Sequence, residues 1–113
     1  MMPKRFALAS ADIKPIATGR GSCMATDRIT VDRAPVGFMY REAPDHERDS
    51  GWRFFAGDES QDYLDNAANL EIYDVNTIAN YDRDIIPLLD AKVRSAFEWD
   101  EETGRFVATE FPG

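Results

Sequence analysis

Two aromatic-rich runs joined by a charged connection constrain the fold of this chain most strongly. Residues 36–41 alternate as a strand does, with Val36, Phe38 and Tyr40 on one face. Residues 52–56 carry apolar side chains on both faces, which is typical of a strand inside a sheet. The hydrophilic connection between the runs is too long for a tight hairpin turn. We therefore predict an antiparallel pair at the centre of a small sheet.

Shorter patterns predict the remaining elements. Further strands are predicted at 22–25 and 70–73, and a C-terminal hairpin joins 96–99 to 105–108. Helical segments are predicted from the N-cap Asp58 to about Asn66, from the N-cap Asp74 through Ala79, and as a turn or short helix over 82–89, with Pro87 tolerated only near its start. Residues 27–31 fit either a helical turn or a strand. The class is α+β, a mostly antiparallel sheet with short helices on one side.

The length of 113 residues fits one domain, which we place at 21–113. Residues 1–20 contain prolines and a glycine with little periodicity, which predicts an extended or partly mobile lead-in. A single cysteine excludes an internal disulfide, and no run approaches the ~20 apolar residues of a membrane-spanning helix. These features favour a cytoplasmic protein.

Negative charge is concentrated in the second half of the chain. The net charge is -8, and the segment 58–90 carries nine carboxylates against one basic side chain, Arg83. Such a surface repels nucleic acids and anionic membranes, and it attracts a basic partner. The alternative is that the charge only keeps a small protein soluble.

No arrangement of residues predicts catalysis. His46 lies in a charged loop, which favours a solvated histidine, and Cys23 is expected to be a buried, unreactive thiol. On one helix, Asp58, Asp62 and Asp65 would share a face that Mg²⁺ or Ca²⁺ could bind, but a solvated acidic face is favoured. One Cys and one His cannot build a classical zinc site. We therefore expect no cofactor and no metal.

Most aromatic side chains are expected to form the core. Tyr40 and Tyr73 are the exceptions, because their hydroxyls require water or a partner.

Two motifs, Ser50-Gly-Trp-Arg-Phe-Phe55 and Asn76-Thr-Ile-Ala-Asn-Tyr-Asp82, carry a family resemblance. With the runs 35–45 and 84–90, they resemble a bacterial family first catalogued as a domain of unknown function. That family is now grouped with the immunity proteins of polymorphic toxin systems, as the thirty-third immunity class. The resemblance covers about residues 22–99, with the basic N-terminal extension and the final hairpin outside or at its margin. It implies a small cytoplasmic α+β protein, and it carries over no catalytic residues.

Together, charge and resemblance predict a non-enzymatic immunity protein that binds a cognate protein toxin through an acidic surface. The residues predicted to bind the partner are Asp58, Glu59, Asp62, Asp65, Tyr73, Asp82 and Asp84. The alternative that stays open is a housekeeping domain that binds a small ligand or a metal.

Overall fold

The computed structural model describes residues 4–113 of the chain. Six strands form one sheet: β1 (Ser22–Thr26), β2 (Phe38–Arg41), β3 (Asp49–Phe55), β4 (Leu70–Asp74), β5 (Ala96–Asp100) and β6 (Arg105–Ala108). Three short α-helices are α1 (Asp27–Thr30), α2 (Gln61–Asp65) and α3 (Val75–Tyr81), and 3₁₀ helices lie at Ser10–Asp12, Ala67–Asn69 and Arg83–Leu88. In the described residues, no helix has the length and apolar composition that crossing a membrane requires.

Within residues 4–113 the strand order is β4-β1-β3-β2-β5-β6, and only the β1–β3 pair is parallel. Strands β2 and β3 pair antiparallel at the centre, with Met39 opposite Phe54 and Tyr40 opposite Arg53. The predicted central pair and the α+β class are therefore confirmed. The residues that fit either a helical turn or a strand form α1.

Helices α1 and α3 and the last 3₁₀ helix pack against one face of the sheet, where the buried core lies. Its buried side chains include Cys23, Ala25, Met39, Trp52 and Phe54 from strands and Val75, Ile78, Ala79, Ile85 and Leu89 from helical segments. The indole N–H of Trp52 donates to the carbonyl of Leu89 at 3.2 Å, which ties the sheet to the last helical segment. Burying these apolar groups is the main favourable term in folding.

The aromatic side chains on the other face are only partly covered. Phe38, Tyr40 and Phe55 form a cluster with ring centroids 5.6 to 5.8 Å apart, and Phe111 packs edge-on against Tyr40. Val36 does not share this face, contrary to the prediction. Val36 precedes the strand, and its N–H donates to the Asp82 carboxylate instead of to a neighbouring strand. Its side chain is buried in the core.

Three local predictions are wrong. Strand β3 begins at Asp49, inside the predicted hydrophilic connection, because Gly51 (φ 86°) accommodates an irregularity in the β1–β3 pairing. The cap of α2 is Ser60, whose hydroxyl accepts the Tyr63 N–H, and Asp58 lies outside the helix. Pro87 is inside the last 3₁₀ helix instead of at its start.

Residues before β1 are bonded to α3. The Asn76 side chain accepts the N–H groups of Ile16 and Ala17 at 2.9 and 2.8 Å and donates to the carbonyl of Lys14. The division into a lead-in at 1–20 and a domain at 21–113 stays a prediction. The first three residues of the lead-in lie outside the part of the chain that the structure describes.

Candidate functional site

The topology brings one end of every strand to the same end of the sheet. Strands β1, β3 and β5 end there, and β2, β4 and β6 begin there. Besides Asp27 and Asp32 in and after α1, which pair with Lys4 and Arg28, the turns and short helices at this end of the sheet carry nine carboxylates from segments far apart in sequence. We define the acidic end as Asp58, Glu59, Asp62, Asp65, Asp82, Asp84, Asp100, Glu101 and Glu102. Arg28, Arg33, Arg83 and Arg105 lie at or beside it, so negative charge predominates.

A groove of about 580 Å³ opens at the acidic end. Its floor is the backbone at 36–37 and 56–57, where the two central strands approach closely. A Cβ at Gly37 would lie 2.0 Å from the carbonyl oxygen of Ala56, so only glycine fits there. The charged and aromatic side chains that line the groove are Arg28, Asp58, Asp82, Asp84, Trp99 and Glu101.

Asp58 is exposed, but part of its charge is already compensated. Arg28 donates to it twice, from Nε to Oδ1 at 3.0 Å and from Nη2 to Oδ2 at 2.7 Å. These bonds hold the pKa of the Asp58 carboxyl below its ordinary value. Arg28 also donates to Asp32 at 3.1 Å. The guanidinium of this groove is therefore shared by two carboxylates.

Asp82 and Asp84 carry charge into the groove without a basic partner. Asp82 accepts the N–H groups of Val36 and Asp84, each at 3.0 Å, and it is half-buried. Burial raises the pKa of its carboxyl above the ordinary value. Asp84 is exposed. Among the ion pairs within residues 4–113, none includes either carboxylate.

The other predicted carboxylates differ in their availability. Glu59 is used internally, because it accepts the N–H groups of Ala56 and Gly57 and the Thr26 hydroxyl at 2.8, 2.8 and 2.5 Å. It shapes the loop more than it presents charge. Asp62 and Asp65 are exposed on α2 and remain free to face a partner, although Asp65 also accepts the Gln61 amide.

Tyr73 lies apart from this end of the sheet. It is in the second half of β4, opposite Cys23, and its hydroxyl lies 3.1 Å from the Thr30 hydroxyl. Phe6 packs edge-on against its ring, and burial raises the pKa of the phenol. The structure does not bring Tyr73 together with the acidic groove.

The C-terminal hairpin supplies residues that the sequence prediction missed. Trp99 is partly exposed, packs edge-on on Phe106 with ring centroids 5.2 Å apart, and forms a wall of the groove next to Glu101. Its backbone N–H donates to the carbonyl of Gly37, which fixes its position. The acidic turn at 100–102 directly follows an aromatic strand residue. An aromatic residue followed by carboxylates was the available signal in the sequence, but only the strand order places this turn beside Asp58.

The cysteine and the histidine do not form a reactive pair. Cys23 is fully buried, and burial and nearby carboxylates raise the pKa of its thiol. His46 is exposed, and its Nδ1 accepts the Arg48 N–H at 3.2 Å. Both line a cavity of about 60 Å³, room for about two waters. The expected buried thiol and solvated histidine are confirmed.

No three His, Cys, Asp or Glu side chains within residues 4–113 lie close enough together to hold a metal ion. Asp58, Asp62 and Asp65 do not share one helical face, because Asp58 precedes α2.

The chain is thus a small α+β domain with an acidic groove at one end of its sheet. Its sequence matches the model of the immunity protein Imm33 domain over residues 23–110, most of the chain. The chain therefore belongs to the Imm33 immunity protein family. The match extends through the final hairpin, which the resemblance over residues 22–99 leaves outside or at its margin. Comparison with curated proteins and with solved structures finds no match.

Proposed function

We propose that this chain protects a bacterial cell by binding a cognate protein toxin, and that the acidic end of the sheet is the contact surface. Membership of an immunity protein family supports a toxin as the partner. The predominance of carboxylates at the acidic end supports a basic surface on that toxin. The proposed site of action is the cytoplasm.

The observation that carries this proposal is the gathering of carboxylates from the segments 58–65, 82–84 and 100–102 at one end of the sheet. Six of the nine, including Asp62, Asp65 and Asp84, are exposed. Complementary charge raises association rate constants from about 10⁵–10⁶ to as much as 10⁸–10⁹ M⁻¹s⁻¹ at low salt. Rapid capture suits a protein that must inactivate a toxin before it acts.

We propose binding, not catalysis, as the mode of action. The buried thiol of Cys23 and the exposed imidazole of His46 offer no activated nucleophile. No nucleophile lies beside the carboxylates among the residues that line the groove. A protein that covers the active site of a toxin needs complementary shape and charge, which the acidic end supplies.

The test is protection of growth when a candidate toxin domain from a neighbouring gene is expressed with the chain. Reversing charge with D62K/D65K should weaken protection, because both carboxylates are exposed on α2. E47K/E110K is the matched control: it makes the same charge change at exposed positions away from the acidic end. Equal protection by the two double variants would remove α2 from the contact surface.

Tyr73 is a separate part of the proposal. Tyr73→Phe deletes the hydroxyl and keeps the ring packed against Phe6. Reduced protection with unchanged thermal stability would place the hydroxyl in the interface.

A further inference from the structure

The groove beside Trp99 has features that the overall charge of the acidic end does not explain. It combines a partly exposed tryptophan with carboxylates that come from three separate segments. Aromatic side chains in partly closed pockets are the residues that most often dominate binding energy in protein interfaces. The groove is therefore a place where one side chain of a partner would be recognised.

The charge inside the groove is not balanced. Arg28 is already shared between Asp58 and Asp32, whereas Asp82, Asp84 and Glu101 have no ion-pair partner within residues 4–113. Partial burial of Asp82 also means that water screens its charge less than that of a fully exposed carboxylate. The groove therefore presents unpaired negative charge to solvent.

The groove continues into a recess with both apolar and charged walls. A neighbouring cavity of about 220 Å³ shares Trp99 and Asp84 with the groove and adds the apolar side chains of Pro87, Leu88 and Phe106 and the exposed cation of Arg105. A long side chain with an apolar stem and a charged head fits such a combination, since the stem packs on apolar surface while the head reaches carboxylates.

We propose, on the basis of the function proposed above, that this groove receives an arginine side chain of the toxin, stacked on Trp99 and bonded to Asp82 and Asp84. A planar guanidinium stacks on an aromatic face and donates to two carboxylates at once, which a lysine ammonium does less well. The chain uses both contacts internally: Arg28 donates twice to Asp58, and Arg94 lies 4.6 Å from the centre of the Phe111 ring.

The test uses the whole ¹⁵N-labelled chain and a blocked tri-arginine peptide as the probe. The only two indole N–H signals belong to Trp52, which is buried, and Trp99, so they report separately. We expect saturable shifts at Trp99 and Gly37 with tri-arginine, at least several-fold weaker binding of tri-lysine, and no shift with tri-citrulline, the neutral analogue.

The variant D82N/D84N should weaken tri-arginine binding about tenfold or more. Asparagine has a single acceptor oxygen, so it keeps one of the two backbone N–H bonds that Asp82 accepts and loses the other, and the spectrum itself reports any loss of structure. E47Q/E110Q removes the same charge at exposed positions away from the acidic end and should leave binding within about twofold. Trp99→Leu provides a second variant that removes the stacking surface but keeps the carboxylates.

Equal weakening by D82N/D84N and E47Q/E110Q, or a response to Mg²⁺ at Trp99 in place of one to arginine, would overturn this inference. If the groove variants bind no tri-arginine but protect fully against the toxin, the arginine site is wrong and the proposed function stands. If tri-arginine binds as expected but the chain gives no protection, the proposed function is wrong.

Discussion

Replacing Arg53 by methionine tests how a buried ion pair holds the centre of the sheet. The guanidinium donates to Asp49 twice, from Nη1 to Oδ1 at 2.9 Å and from Nη2 to Oδ2 at 2.7 Å. It also donates from Nε to Glu42 at 2.6 Å. The side chains of Arg53 and Asp49 are each 4% exposed. Arg53→Met keeps much of the buried apolar stem and removes the charge.

The expected cost follows from what Asp49 loses and keeps. Removing one partner of a buried pair costs about 3–5 kcal/mol, because the other charge is left uncompensated. Asp49 still accepts the N–H groups of Asp45 and Gly51 at 2.8 and 2.9 Å, which favours the lower part of that range. We expect a loss of about 3 kcal/mol in the free energy of unfolding, a large share of the 5–15 kcal/mol typical of a domain.

The same pair predicts how stability depends on pH. Bonds from Arg53 hold the pKa of the Asp49 carboxyl below its ordinary value in the folded state. Its contribution is therefore fully present above the unfolded pKa of about 3.9 and is lost as pH falls through the lower folded pKa. Stability of the wild-type chain should fall as the solution is acidified below about pH 4. The fall should be shallower in Arg53→Met.

Urea unfolding followed by tryptophan fluorescence measures both effects. A double-mutant cycle with Asp49→Asn should give a coupling energy of about 1–3 kcal/mol, and Arg105→Met at an exposed position is the control for loss of an arginine. A cost below about 1 kcal/mol for Arg53→Met, or parallel acid profiles for the two chains, would refute this reasoning.

Three further predictions concern other parts of the fold. Asn76→Ala leaves the N–H groups of Ile16 and Ala17 without their acceptor and should cost about 2 kcal/mol, with faster amide exchange of both as the measurement. Asp74→Ala removes the N-cap of α3 and should lower the free energy of unfolding by about 1 kcal/mol; an unchanged urea midpoint would contradict this. Cys23 should react with a thiol reagent only as fast as the chain opens, and rapid labelling of the native protein would show that the thiol is accessible.

Local patterns in the sequence predicted much of the fold. The alternation at 36–41, the aromatic run at 52–56 and the cap at Asp74 predicted β2, β3 and α3, because each depends on neighbouring residues. The bulge at Gly51 did not follow, since its Ser-Gly sequence is equally typical of a turn. Ser60 was missed as the cap of α2 because Asp58 is an equally good capping residue.

The composition of the site depended on strand order, which the sequence did not reveal. The parallel pairing of β1 with β3, and the placement of the final hairpin next to β2, are non-local contacts. They bring Trp99 and Glu101 to the groove that Asp58, Asp82 and Asp84 line. The charge of the segment 58–84 can be read from composition alone. The position of Trp99 in the wall of the groove can be predicted only when the strand order is known.

The central claim is that the acidic end captures a basic toxin surface. Its most direct test is the association rate constant between this chain and its toxin domain, measured by stopped flow at about 20 and 500 mM salt. We predict a rate constant at least about tenfold lower at high salt, and a similar loss at low salt for D62K/D65K but not for E47K/E110K, because steering depends on unscreened charge. A rate constant that is unaffected by salt and by reversal at Asp62 and Asp65 would contradict the account.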